Sequence, residues 1–173
     1  MATPIIYTFF GVGCGTLGTN QFDNASFVIT VPADASTVSN PINVYPKWAT
    51  QVSCAQATAT ISVFGLPTAI FGAALNVTLL DNTKDGVFWV SVGLAPDQLV
   101  LVQNPNLRNY NLKQSLNPLA GTGPFPVSQT SWPITAIPGN LKFTSITSAF
   151  FQATLLSLQP SPQPPSNLHV IGS

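Results

Sequence analysis

The chain has very few side chains that can transfer protons. It contains no glutamate, five aspartates, five Lys+Arg and a single histidine, His169. Most hydrolytic and proton-transfer mechanisms need a carboxylate, imidazole or thiolate whose pKa is tuned by its neighbours. The sequence therefore predicts that the protein is not an enzyme, with no catalytic residues, no cofactor and no bound metal ion.

Charge of either sign is also scarce. Charged residues make up 6% of the chain, and the formal net charge at pH 7 is +0. Without a basic cluster there is no electrostatic basis for binding a phosphate backbone, which excludes nucleic acid as a partner. No apolar run reaches the ~20 residues of a membrane-spanning helix, so no membrane span is expected. Low charge leaves little repulsion between copies and favours self-association.

The length and the distribution of proline predict one domain followed by a tail. A chain of 173 residues that is 45% apolar is sufficient for one two-layer core. Residues 159–165 are rich in proline and form a polyproline-II spacer. We therefore expect a single domain at 1–158 and a flexible tail at 159–173. His169 lies in that tail, away from any candidate nucleophile.

Apolar residues alternate with polar ones in several windows, and no stretch has a sustained helical period. The residues expected to face the core are Phe27, Ile29, Val31, Ala59, Ile61, Val63, Leu75, Val77 and Leu79. Further strands are predicted at 5–13, 98–102, 108–113, 141–146 and 149–158, a helical turn at 69–75, and an irregular crossover at 118–138. About nine short strands with regular turns indicate an all-β, antiparallel β-sandwich or jelly-roll-like fold.

A polar segment at 81–86 ends in Asp-Gly and precedes the apolar run 87–92, which is a hairpin signal. Trp89 lies in that run and is expected in the core. Asp81, Asn82 and Asp85 are also candidate oxygen ligands for calcium. The usual calcium-loop spacing is missing and Lys84 lies inside the segment, so a plain hairpin turn is favoured over a calcium site.

Gly13, Gly15 and Gly18 match the letters of a dinucleotide-binding fingerprint. That motif works only where the loop opens a helix inside a βαβ unit, and here another strand follows instead. The glycines more plausibly permit a β-bulge or tight bend where a neighbouring main chain approaches.

Cys14 and Cys54 both lie in or beside strand-like sequence. They are compatible with a disulfide that closes a loop of roughly forty residues and stabilises the fold by ~3–4 kcal/mol. The alternative is two buried free thiols, which behave as small apolar groups.

Two tryptophans are candidates for stacking on sugar rings. Trp48 and Trp132 lie beside prolines in loop-like sequence, where an aromatic ring can be exposed. The sequence therefore carries a carbohydrate-binding hypothesis alongside a purely structural one.

The segment 7–18, Tyr-Thr-Phe-Phe-Gly-Val-Gly-Cys-Gly-Thr-Leu-Gly, resembles the opening of exported bacterial proteins that carry a PEP-CTERM sorting signal. The likeness extends over 5–158 through the segments 24–31, 33–34, 104–105, 110–112, 115–116 and 139–145. It implies export to the cell surface or to an exopolysaccharide matrix, and it brings no catalytic residues.

This chain departs from that family in three ways. Residues 1–10 lack the features of a signal peptide, and no Pro-Glu-Pro sorting motif follows Pro165. Cys14 stands where a small polar residue is usual, which supports a disulfide peculiar to this member.

Together these patterns predict a non-catalytic, extracellular or cell-surface protein with a structural or interaction role, associated with the surface or the matrix. The alternative is a carbohydrate-binding module that uses Trp48 and Trp132. The expected partners are extracellular polysaccharide or further copies of the chain.

Overall fold

A computed structural model describes residues 2–40, 42–44, 49–55, 59–82, 86–94, 97–125, 135–137 and 139–156, with the main chain alone at 42–44, 49–55, 94 and 97. The strands are β1 Pro4–Leu17, β2 Asn20–Asp34, β3 Ile42–Val44, β4 Ala49–Ala55, β5 Thr60–Val63, β6 Ala69–Phe71, β7 Asn76–Asn82, β8 Val87–Leu94, β9 Asp97–Gln103, β10 Leu116–Ala120, β11 Ala136–Ile137 and β12 Leu141–Leu155. Two 3-10 helices, Ala35–Thr37 and Pro105–Leu107, complete the described elements.

The strands form two antiparallel sheets that pack as a sandwich. One sheet has seven strands in the order β10-β12-β1-β2-β5-β6-β11, and the other has five in the order β3-β4-β7-β8-β9. This confirms the predicted all-β sandwich. The strands are more numerous than the nine expected, and β1, β2 and β12 have 14, 15 and 15 residues, so they are not short.

The predicted core residues lie between the two sheets. All nine residues of the three alternating windows are buried, and they belong to one continuous apolar cluster. Because side chains alternate between the faces of a strand, burying one set places the intervening set on the outer surface of the sandwich.

The long strands β1 and β12 stay paired because glycines admit two changes of register. The pairing shifts between Val12 and Gly13 and again between Cys14 and Gly15. A Cβ added at Gly13 would lie 2.7 Å from the Ser145 carbonyl oxygen, which no side chain tolerates. This confirms the predicted bulge and close approach at the glycines. It also explains why the two strands predicted at 141–146 and 149–158 are one strand.

The predicted hairpin at 81–86 is confirmed by the pairing of β7 with β8. Asn82 lies opposite Val87, and Gly86 has a φ of +67°, in the left-handed region that glycine adopts without strain. Residues 83–85 lie outside the described residues.

Two local predictions are wrong. Residues 69–71 form strand β6 rather than a helical turn, because they pair with β5 and β11. Residues 108–113 form turns rather than a strand, with φ of +64° at Asn109 and +62° at Leu112. Tyr110 and Leu112 are nevertheless buried, and the Leu112 carbonyl accepts a 2.5 Å hydrogen bond from the buried Tyr7 hydroxyl. The apolar alternation there reflects a loop that packs into the core.

The crossover predicted at 118–138 is strand at both of its ends. Residues 118–120 belong to the edge strand β10, and Ala136–Ile137 form β11. Pro118 is tolerated because it lies between the paired residues Leu116 and Leu119, where the register with β12 shifts. Residues 126–134, and the predicted tail at 159–173 with His169, lie outside the described residues.

Candidate functional site on the outer face of the seven-stranded sheet

Two phenylalanines stack on the outer face of the seven-stranded sheet, the face turned away from the five-stranded sheet. Phe10 of β1 lies directly opposite Phe150 of β12, and their rings are parallel within 8° with centroids 5.1 Å apart. Both side chains are half-buried, while the next residues along, Phe9 and Phe151, are fully buried. Each of the two Phe-Phe dipeptides in the sequence, 9–10 and 150–151, thus supplies one ring to the core and one to the outer face.

The stacked pair is the centre of a larger apolar patch. Val28 of β2 lies opposite Phe10 on the side away from β12, and it is 40% exposed. Phe64, the residue that follows β5, is 83% exposed. The Phe64 amide donates a 2.8 Å hydrogen bond to the Ser26 carbonyl, which holds Phe64 beside β2. We define the apolar patch as Phe10, Val12, Val28, Phe64 and Phe150.

A row of threonines borders the apolar patch. Thr8, Thr30 and Thr60 lie side by side on β1, β2 and β5. The row continues into Ile70 and Ile137, which are 49% and 66% exposed. The middle of this face therefore presents methyl groups, aromatic rings and neutral hydroxyls.

The charged side chains described on this face lie near its ends. Asp34, level with Pro4, is at one end, and Lys142, level with Thr16, is near the other together with Asp23. Hydrogen bonds from the Thr3 N–H, and then from Ser36, hold the pKa of the Asp34 carboxyl below its usual value.

A small groove lies at the Lys142 end. Its volume is about 270 Å³, and it is lined by Cys14, Gly15, Thr16, Gln21, Phe22, Asp23 and Thr144. The Cys14 thiol donates a 2.9 Å hydrogen bond to Asp23 Oδ1, and the sulfur accepts one of 3.4 Å from the Asn24 N–H. The groove thus combines a carboxylate, a carboxamide and two hydroxyls with the largely buried ring of Phe22.

Cys14 is a free thiol in the structure, so the predicted disulfide with Cys54 is not present in it. Both residues are in strands, as expected, but β1 belongs to the seven-stranded sheet and β4 to the five-stranded sheet. The Cys14 side chain lies on the outer face, where it contacts Asp23. A strand-like setting indicated the element, but it carried no information on which sheet or face each sulfur would occupy.

Trp48 and Trp132 lie outside the described residues, so their role in sugar stacking stays a prediction. The prediction that Trp89 lies in the core is wrong. Its neighbours Phe88 and Val90 are buried, and Trp89 is half-buried on the opposite face of β8, between Leu80 and Gln103.

The candidate calcium ligands are only partly described. Asp81 and Asn82 end β7, whereas Asp85 lies outside the described residues. One oxygen of Asp81, Oδ1, is buried without a hydrogen-bond partner. Within the described ranges, no group of three or more His, Cys, Asp or Glu is placed to hold a metal ion. Calcium binding at this turn, the less favoured alternative to a plain hairpin, stays untested.

The outer aromatic pair was not among the sequence-based candidates, although a signal for it exists. Two strand-like segments each contain Phe-Phe, at 9–10 and 150–151. In a strand with a period of two, one ring of each dipeptide has to point away from the core. The patch is therefore a consequence of the same alternation that predicted the core.

Comparisons of the chain with protein-family models, curated proteins and solved structures find no match. Among the described residues, no helix is long and apolar enough to cross a membrane.

Proposed function

We propose that this protein is a non-catalytic structural and interaction protein of the cell surface or the extracellular matrix. The observation that carries the proposal is the stacked pair Phe10 and Phe150, with Val28 exposed opposite Phe10 and Phe64 exposed beside β2, on a sheet face whose described charges lie toward its ends. Single exposed apolar side chains are ordinary, but a contiguous exposed patch marks an interaction site.

The composition and the family resemblance support the extracellular setting. A neutral chain with 6% charged residues and a surface of serine, threonine and asparagine is typical of exported β-proteins, and the segment 7–18 resembles PEP-CTERM proteins. The outer face of the seven-stranded sheet is the surface through which the protein would contact its matrix.

The experiment compares wild type with Val28→Lys, which introduces a charge into the apolar patch. Asn106→Lys is the matched control, because it adds the same charge at an exposed position in the second 3-10 helix. Retention on insoluble cellulose and chitin is measured beside sedimentation velocity. Wild type and Asn106→Lys should show retention or self-association that Val28→Lys loses. A wild type with neither property would refute the proposal.

The groove at Cys14 favours carbohydrate binding as a second candidate function. Ligand sites combine an apolar surface with a few placed polar groups, and the groove offers the Asp23 carboxylate, the Gln21 amide and the Phe22 ring. At about 270 Å³ its volume suits a single sugar ring. If the groove binds sugar, Asp23→Asn and Gln21→Ala should reduce retention of the protein on polysaccharide, whereas Val28→Lys should not.

A further inference from the structure

We infer that the partner of the outer face is a second copy of this chain, packed sheet against sheet about a two-fold axis. This inference rests on the proposed function, since it identifies the occupant of the same surface. The resulting dimer would bury Phe10, Val28 and Phe64 of each copy.

The chemistry of the apolar patch favours another protein face over a sugar. A sugar presents hydroxyls that need carboxylate, amide or other polar partners, and all five members of the patch are apolar. Serine hydroxyls lie between members of the patch: Ser62, level with Val28, bonds to Thr68 at 2.8 Å, and Ser26 is level with Val12. The exposed parts of the rings and of Val28 remain as apolar surface, and a second copy of the patch is the occupant that removes them from water.

Two-fold symmetry brings the same patch of both copies together, so the patch has to be complementary in shape and charge to a second copy of itself. The stacked pair meets that condition because Asp34 and Lys142 lie far from it, although Asp23 is nearer the patch, since it contacts Cys14, two positions along β1 from Val12. Pro4, level with Asp34, and Thr16, level with Lys142, are each six positions along β1 from Phe10, which is about 20 Å. With a formal net charge of +0, two copies also approach without long-range repulsion.

The face is large enough for a stable dimer. Strands β1, β2 and β12 have 14, 15 and 15 residues. At ~3.3 Å per residue and ~4.8 Å per strand, these three alone give a flat area of roughly 700 Å². β5, β6, β10 and β11 extend the same sheet toward the ~800 Å² per partner of a standard interface. Facing sheets pack about 10 Å apart, with side chains interdigitating as they do inside the sandwich.

The test is sedimentation velocity on the full chain over a concentration series. Wild type should dimerise, and Val28→Lys should weaken dimerisation by at least about a hundredfold, because it brings like charges together in an apolar interface. Phe64→Ser, at a position 83% exposed, removes apolar area without disturbing the core and should weaken dimerisation as well. Asn106→Lys should dimerise as wild type does, and far-ultraviolet circular dichroism checks that each variant is folded.

Two results would overturn the inference. Wild type that stays monomeric throughout the series, or a dimer that both patch variants leave unchanged, excludes this face as the dimer interface. If wild type is monomeric but its retention on cellulose or chitin is lost in Val28→Lys, the face binds polysaccharide. In that outcome the inference fails while the proposed function stands. A wild type that neither dimerises nor is retained on cellulose or chitin would refute both the inference and the proposed function.

Discussion

The main chains at Gly11 and Ser148 approach so closely that a Cβ on Gly11 would overlap the Ser148 carbonyl oxygen. The two residues lie on β1 and β12, beside the first change of register between those strands. The pairing of the two strands along their full length depends on the absence of a side chain here.

Gly11→Ala should therefore destabilise the protein by about 3 kcal/mol or more, because main-chain atoms have to move to relieve the overlap. Gly72→Ala is the control, since its Cβ would meet the Thr135 side chain at 3.2 Å, and that methyl group can shift. Urea unfolding of both variants measures the difference. Equal losses of stability would contradict the close approach at Gly11.

The hydrogen bond from the Tyr7 hydroxyl to the Leu112 carbonyl ties the 108–114 loop to the core. Tyr7→Phe leaves a buried carbonyl without that donor, which should lower the free energy of unfolding by about 1–2 kcal/mol. Tyr110→Phe is the comparison, because its hydroxyl bonds to the partly buried Gln114 carbonyl and its loss should cost less. A larger loss for Tyr110→Phe would show that the Leu112 bond contributes little.

The core could be predicted from the sequence wherever apolar and polar residues strictly alternate. Ile61 and Val77 are such cases, because each is buried and lies between two polar residues. Leu112 lies in a turn that alternation with Tyr110 predicted as a strand, because alternation does not distinguish a strand from a loop that packs into the core. The sequence pattern could not show whether Cys14 and Cys54 form a disulfide. Which strands share a sheet depends on contacts between strands that are distant in the sequence, and a local pattern does not record these contacts.

The exposure of the stacked pair Phe10 and Phe150 could not be predicted from alternation alone. β1 is apolar on both faces around Phe9 and Phe10, so period two identified the strand but not which ring faces solvent. Phe9→Ala should lower the free energy of unfolding by ~3–5 kcal/mol, because that ring is fully buried. Phe10→Ala should cost about 1 kcal/mol, as expected for a half-buried side chain. Similar losses from chemical denaturation of the two variants would place Phe10 in the core instead.

A free, half-buried thiol at Cys14 should react with iodoacetamide in the folded protein. Peptide mass spectrometry after labelling without reductant should locate the label on the peptide that contains Cys14. The Cys14→Ser variant is the control for labelling at other positions. A Cys14 peptide cross-linked to the Cys54 peptide would restore the disulfide, and one that is neither labelled nor cross-linked would mean that the Cys14 thiol is inaccessible.

Asp34 should make stability depend on pH in the acidic range. Its carboxylate accepts hydrogen bonds from the Thr3 N–H at 2.8 Å and from the Ser36 hydroxyl at 2.7 Å, and these lower its pKa from 3.8. A group whose pKa is depressed on folding stabilises the folded state above its unfolded-state pKa, and that contribution disappears as the pH falls through the folded-state pKa.

The melting temperature of wild type should therefore exceed that of Asp34→Asn at neutral pH. The difference should shrink as the pH falls below 3.8, because wild type then also carries a neutral side chain. Ser36→Ala keeps the Thr3 bond and removes one hydroxyl donor, so it should show a smaller effect in the same pH window. A difference between wild type and Asp34→Asn that stays constant through the acid range would mean that the charge of Asp34 does not hold the start of β1 against the end of β2.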